Sequence, residues 1–421
     1  MTGKTLILTI AAALVISCIA GIADGEAAKV PEKNGNTLVQ SDHITIPVFT
    51  EDTMLRFEIP DSEGLRFTKT LKAGWNLGNT FDAKDDGKGS HQDDYEIYWS
   101  GAKTTRELIH AVKEAGFNFI RMPVSWHNHV TDEYAVDPAW MARVKEVADW
   151  VLDEGLYVII NIHHDNEKDF LYPDTLHYEQ SEKYITAIWG QICEAFGEYD
   201  EHVIFEGMNE PRLAGHPNYE WWLDMNNAVC RDAVNCINRL NQRFVDTVRT
   251  SGGRNATRYL LVPGYCASPD WVLIPEFKLP EDSASGRIIV EVHAYTPYDY
   301  ALNANNPDSR FDLKKDIYKK KTIADFMTRL YNRYIRRGIP VLIDEFGALR
   351  KNANDLQDRV NFTAYYTASA SARGMTCAIW DNSNLDDRGE VFSLIDRNKV
   401  EWVYPDIVLA LVKNSMCNRG E

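Results

Sequence analysis

Residues 138–165 read PAWMARVKEVADWVLDEGLYVIINIHHD. The first part, 138–154, spaces its apolar side chains as an amphipathic helix does. Residues 156–161 then form a short, nearly continuous apolar run rich in β-branched and aromatic side chains. That is the pattern of a parallel strand covered on both faces. The run stops in polar residues, Asn161-Ile-His-His-Asp165.

The same succession recurs along the chain. Strand-like runs fall at 71–77, 117–122, 156–161, 203–208, 259–262, 287–293, 340–343 and 375–379. Helix-like stretches fall at 104–115, 138–154, 179–196, 235–250, 322–336 and 356–372. Strands alternating with helices in this way predict an α/β fold, a (β/α)8 TIM barrel. An open doubly wound sheet is the alternative, but no G-x-G-x-x-G follows a run, so it lacks the dinucleotide signature. No repeat or Pro/Ser-rich linker interrupts 60–413, so one catalytic domain is expected.

The chain has 421 residues, 45 Lys plus Arg against 62 Asp plus Glu, and a formal net charge of -17. Such acidity repels phosphate backbones, and no nucleic-acid partner is expected. The lysines at 314–321 read as a solvated helix start. Residues 5–17, TLILTIAAALVIS, form an apolar run too short to span a membrane comfortably and placed where a secretory signal sits. The expected division is a signal peptide at 1–23, a short N-terminal extension at 24–63 and the barrel at 64–415. A secreted, extracellular protein is expected. The alternative is a cell-surface lipoprotein anchored through Cys18, because Val15-Ile-Ser-Cys18 loosely resembles a lipoprotein box. Of the 7 cysteines, Cys193 and Cys377 read as small core residues. Cys230 and Cys236 are close enough for a local disulfide unless one straight helix joins them. Two sequons occur, at Asn255 and Asn361.

Barrel chemistry belongs at the C-terminal ends of the strands. Here those ends carry Gly74-Trp-Asn-Leu-Gly-Asn-Thr80, Arg121, the His163-His164-Asp165 cluster, Asn209-Glu210, His293-Ala-Tyr295, Asp344-Glu345 and Trp380-Asp-Asn382. Charged and aromatic tips on strand after strand are hard to explain by packing. Glu210 and Glu345 follow runs four and seven, across the barrel mouth from each other. Paired carboxyls suit glycoside hydrolysis, in which one is a proton donor and the other an anion. Arg121 is placed to keep one of them ionised, Asn209 to donate to a sugar hydroxyl, and Trp380 to offer a flat face to a pyranose. Adjacent histidines on a strand face opposite ways, so His163 and His164 are read as hydrogen-bonding residues and no metal is expected. The acidic loop 82–93 has Lys84 where a calcium loop needs an oxygen ligand.

These residues carry a family resemblance. The strings GWNLGNTFDA (74–83), IRMPVSWHNHV (120–130), NIHHD (161–165), FEGMNEPR (205–212), VHAYTPYDY (292–300), IDEFGA (343–348) and WDN (380–382) occur in the order seen in glycoside hydrolase family 5. The chain resembles that family's gut and rumen endo-β-1,4-glucanases over about residues 64–411. The resemblance implies Glu210 as acid/base and Glu345 as nucleophile. It implies Arg121, His163, Asn209, His293, Tyr295 and Trp380 as substrate-binding or orienting residues, with Arg121 orienting the nucleophile. His164 and Asn76 also look like subsite residues. The chain departs at Asp344, where a small or neutral residue is common; there it would raise the pKa of Glu345 or simply face the helices. Ile379 and Ser383 also depart from an aromatic and a glycine.

The expected reaction is therefore a retaining double displacement on β-glucan, without a cofactor and by a monomer. Carboxyls about 5 to 5.5 Å apart would fit retention. Cellulose, mixed-linkage glucan and xyloglucan are the contending substrates, and Trp126, Trp221 and Trp222 are candidate subsite residues. The alternatives are a xyloglucanase, mannanase or xylanase of the same family, a silent carbohydrate-binding barrel, and a metal-dependent hydrolase.

Overall fold

The computed structural model describes residues 38–50, 52–85, 94–386 and 389–416. The expected signal peptide, Cys18, the first part of the extension, Cys417 and positions 86–93 of the acidic loop lie outside the described residues.

Eight parallel strands close into a barrel in sequence order, with β1 returning to β8. They are β1 (Ala73–Asn76), β2 (Phe119–Met122), β3 (Tyr157–Asn161), β4 (Val203–Glu206), β5 (Leu260–Pro263), β6 (Ile288–His293), β7 (Val341–Phe346) and β8 (Thr376–Ile379). Each begins within two residues of its expected start. β7 runs on past the expected end at 343, through Asp344 and Glu345. Helices follow every strand but one. The β5–β6 crossover carries a short 3-10 turn at Tyr265–Ala267 in place of a helix.

Successive strand residues point to opposite faces, and this sets the layers. Trp75, Ile120, Val158, Phe205 and Ile343 belong to the apolar cluster between strands and helices. Phe119, Ile159, Ile204, Leu261, Ile289, Leu342 and Ala378 point inward and form a second cluster with Phe67 and Leu71. Phe67 lies on the helix Glu63–Thr70, which Ser62 caps by accepting from the Leu65 N–H. Gly74 belongs to this layer because a Cβ there would meet the Phe119 ring at 2.1 Å. One inward position further on, Asn76, Arg121, Asn161, Glu206, Glu291 and Asp344 are all 0% exposed.

Residues 38–50 lie along the helix Pro405–Asn414. Ser41 donates its N–H and hydroxyl to Asp406 at 2.9 and 2.7 Å. Asn414 accepts from the Phe49 N–H and donates to the Pro47 carbonyl. Cys230 and Cys236 share the single helix Ala228–Thr250, buried and free, so the local disulfide is ruled out. Cys193 and Cys377 are also buried. Asn255 donates its amide to the Cys193 carbonyl and Ser251 hydroxyl, and Asn361 donates to the Phe311 carbonyl. Both sequon amides are thus engaged internally. No helix of the described residues is long and apolar enough to cross a membrane.

Candidate active site

The strand tips surround an open cleft of about 490 Å³. His163, Asn209, Glu210, Tyr295, Glu345 and Trp380 line it. Arg121 and His293 stand just beneath, in contact with both glutamates or their neighbours.

Arg121 organises the floor, and all five of its N–H groups have acceptors. Nε and Nη2 grip the two oxygens of Glu206, both at 2.6 Å. Nη1 reaches Asn76 Oδ1 at 3.0 Å and Glu345 Oε1 at 2.6 Å. Nη2 also reaches Asn209 Oδ1 at 2.7 Å. A planar guanidinium with five donors is the side chain suited to this. Tyr295 donates its hydroxyl to the other Glu345 oxygen at 3.0 Å, so both oxygens of that carboxylate are fixed. Because Asn209 Oδ1 is taken, its amide nitrogen is the group left to face the cleft.

Glu210 follows β4, with Oε1 2.9 Å from His293 Nδ1 and Oε2 3.6 Å from Arg212. Burial would raise this carboxyl, but the His293 hydrogen bond and charge, with Arg212 and His164, hold it below its usual range. Burial likewise opposes a charged His293. The nearby Glu345, Glu210 and Asp344 outweigh it and lift His293 to about 9. An irregularity in the β6–β7 register sets His293 opposite Glu345. As a result, an oxygen of Glu210, a nitrogen of His293 and an oxygen of Glu345 lie within 4.8 Å of one another.

Asp344 faces the barrel interior and not the helices, since its carboxylate lies 3.7 Å from Arg121 and 3.5 Å from His293. Burial and the neighbouring Glu206 push it up to about 8. Glu291, also inward, is pushed well above the carboxylate range by burial, then by Glu206 and Asp344.

The two histidines after β3 correct a sequence expectation. The strand ends at Asn161, and beyond it both Nε2 atoms approach Asp82 Oδ2, at 4.0 and 3.9 Å. The rings meet edge to face. Asp82 accepts backbone N–H groups of Asn79 and Thr80, and His163 Nδ1 accepts from the Asn161 amide. Burial and His164 hold His163 neutral, while burial with Arg212 and Lys84 lowers His164 to about 3. His163 and His164 line the cleft, with the Asp82 carboxylate close to both rings. Glu206, Glu291, His293 and Asp344 are a second group of close donors. There Arg121 occupies both Glu206 oxygens, and its charge opposes a cation.

Several subsite candidates separate. Asn76 is no cleft residue: it donates to the carbonyls of Asp344 and Ile379 and accepts from Arg121. Trp126 is fully buried, donating to the Asn161 carbonyl. Trp221 lines the cleft, 58% exposed, with the Arg212 guanidinium 4.2 Å from its ring centroid. Trp222 packs edge-on against Trp271 and does not line it. Sequence reading missed Trp99 and Glu390, both in the wall. Both sit in loops, where no periodicity marks them. Trp380 rests on Gly78, where a Cβ would approach its ring to 2.6 Å.

Residues 83–386 match the model of the cellulase family, glycosyl hydrolase family 5. Endoglucanase A of Ruminococcus albus is 38% identical over 361 residues, 85% of this chain and 94% of that protein. Endoglucanase B of Neocallimastix patriciarum is 38% identical over 82% of this chain and 70% of its own length. Among solved structures, a family 5 lichenase from Caldicellulosiruptor sp. F32 superposes with a TM-score of 0.85. It is 48% identical and covers 88% of this chain and 100% of that one. A broad specificity endoglucanase from Ruminococcus champanellensis with bound cellotriose gives a TM-score of 0.76 at 39% identity, covering 85% and 100%. With a family match across most of the barrel and a relative 38% identical over 85% of this chain and 94% of its own length, this chain belongs to glycosyl hydrolase family 5.

Proposed function

We propose that this chain is a secreted endo-β-1,4-glucanase working by retaining double displacement, with Glu345 as nucleophile and Glu210 as acid/base. The observation that carries the reading is the pair itself. One carboxyl follows β4 and the other stands near the end of β7; they approach within 4.8 Å through their nearest oxygens and share one open cleft. That closeness fits the short separation of a retaining pair rather than the wider one that admits an inverting enzyme's water.

Glu345 attacks the anomeric carbon while its oxygens are held by Arg121 and Tyr295. Glu210 passes a proton to the leaving oxygen, then takes one from the water that releases the glycosyl-enzyme. Asn209 donates to a sugar hydroxyl, and His163 and Trp380 shape the pocket around the ring. Likeness to a lichenase and to a broad specificity endoglucanase supports mixed-linkage glucan and soluble cellulose as substrates. The apolar run at 5–17 supports export.

The test is sugar release from barley β-glucan, carboxymethyl-cellulose, xyloglucan, xylan and mannan, with Glu345→Gln alongside. Release from the glucans, lost in a folded variant, is expected. Near-normal activity in that variant would overturn the nucleophile assignment, and release from xylan or mannan alone would overturn the substrate.

A further inference from the structure

A general acid must hold a proton at working pH, yet the strongest neighbours of Glu210 favour its anion. The missing proton has a place one bond away. His293 touches Glu210 through Nδ1 and turns Nε2 down into the barrel. There Nε2 lies 3.5 Å from Asp344 Oδ1 and 3.6 Å from Glu291 Oε1. All four oxygens of these two carboxyls are buried without a hydrogen-bond partner. Arg121 Nη2 is also near, at 3.4 Å from Nε2. Both its hydrogens are already given to Glu206 and Asn209, so it has none to donate. Nε2 therefore faces one acceptor oxygen from each carboxyl, which favours a hydrogen on Nε2.

We infer that Asp344 and Glu291 are positioning residues that keep a proton on His293 Nε2, so that Nδ1 alone exchanges a proton with Glu210. Asp344 is one of the positions where the chain departs from its family's usual pattern. The other charged or titratable groups facing His293 are Glu206 and Glu210 from the β4 side, Glu345 from β7, Arg121 from β2 and His163 from beyond β3.

The cycle balances. As Glu345 bonds to the anomeric carbon and the glycosidic C–O bond breaks, Glu210 protonates the leaving oxygen and is refilled from His293 Nδ1. His293 is left neutral with its Nε2 proton. Water then attacks the same carbon, the bond to Glu345 breaks, and the water's proton returns through Glu210 to Nδ1. The hydrogen on one imidazole nitrogen is fixed by what the other meets, which is how an acceptor behind a histidine sets its role.

This inference rests on Glu210 as acid/base, and the experiment separates the two ideas. The pH profile of kcat/KM is measured for cellotetraose, whose leaving group needs a proton, and for 2,4-dinitrophenyl cellobioside, whose leaving group does not. The enzymes are wild type, Asp344→Asn, Glu291→Gln and Glu210→Ala. Asp344→Asn and Glu291→Gln are expected to move the alkaline limb for cellotetraose down by about one pH unit, leaving the dinitrophenyl profile in place. Equal losses on both substrates, or no movement on either, would overturn the inference. Glu210→Ala should lose cellotetraose far more than the dinitrophenyl substrate; if it does not, the acid/base assignment itself falls. Nitrogen-15 NMR of histidine-labelled wild type covers variants that fail to fold. It should show His293 keeping its Nε2 proton above pH 8, and a Nδ1–H tautomer at neutral pH overturns the idea. So does cellotetraose activity lost to exhaustive chelation and restored by a divalent cation, because a cation would then occupy the carboxyls.

Discussion

On β2 one inward side chain is Phe119 and the next is Arg121. On β4 the pair is Ile204 and Glu206, on β6 Ile289 and Glu291, and on β7 Leu342 and Asp344. The two layers share strands, register and complete burial, and they differ only in chemistry. The lower layer is packed like any core and gains from leaving water. The upper layer holds three inward carboxyls, Glu345 above them, and one guanidinium in their midst. Charges in such a place cost folding free energy unless paired. The upper layer is tolerable because every Arg121 N–H finds an oxygen and because burial pushes the Glu291 and Asp344 carboxyls up, away from the charged form. One barrel interior thus divides its labour by height, with apolar packing below and the charged groups of the cleft floor above.

The largest expected effect comes from breaking the upper layer at its centre. Arg121→Ala leaves Glu206 buried with the Asn161 amide but no counter-charge and frees Glu345 from one of its two anchors. It should cost about 3–5 kcal/mol of stability, as removal of one member of a buried pair does. It should also lower kcat/KM by about 10²–10³-fold at temperatures where the variant stays folded, the scale seen when a fixed donor is lost from an active site. Urea unfolding and steady-state kinetics on one preparation read both. A destabilised variant with unchanged kcat/KM would show that Arg121 serves the fold alone.

The lower layer should answer in the opposite sense. Leu342→Ala removes a fully buried side chain from the cluster beneath Asp344. A loss of about 2–5 kcal/mol is expected from the transfer and cavity terms. The kcat/KM of the folded protein should hold, because the polar layer keeps its own hydrogen bonds. A kinetic loss as large as that of Arg121→Ala would mean that the layers are mechanically coupled and the division by height is false.

This division also explains what the sequence revealed. Eight apolar runs marked eight strands because both strand faces are dry in the lower half. The residues ending those runs marked the rim, so Arg121, His163, Asn209, Glu210, His293, Tyr295, Glu345 and Trp380 could all be named. The inward acids could not. Glu206 lies inside 203–208 and Glu291 inside 287–293, and a lone acid within an apolar run reads as a solvent-facing position. A two-residue step carried the missing signal: Ile204 to Glu206, and Ile289 to Glu291 to His293, each on one face. The same rule misled at His163 and His164 because the chain leaves the strand at Asn161, and alternation ends with it. Asn76 and Trp126 look like sugar-binding types by residue alone. Only tertiary contacts reveal that their polar groups are engaged inside the barrel.

The smallest effect is the most diagnostic of why the upper layer persists, and it is read as stability against pH. In the folded chain His293 holds its proton to about pH 9, against 6.5 for an ordinary histidine. Its contribution is thus fully present below 6.5 and is lost as pH rises through 9. Asp344 is also raised, from 3.8 to about 8. Above pH 4 the unfolded chain releases that proton while the folded chain keeps it, so this group too favours unfolding as pH climbs towards 8. Both signs agree: between pH 6.5 and 8 the native state binds more protons than the unfolded one, and stability falls as pH rises. Each such proton contributes about 1.4 kcal/mol per pH unit to the slope. Asp344→Asn removes one of the two groups, so its unfolding free energy should be flatter over that window. Leu342→Ala should be lower everywhere but parallel to wild type. Urea midpoints at half-unit pH steps distinguish the three curves, and a wild-type stability that rises from pH 6.5 to 8 would mean that the acids beneath Glu345 are ionised and compensated by something other than protons.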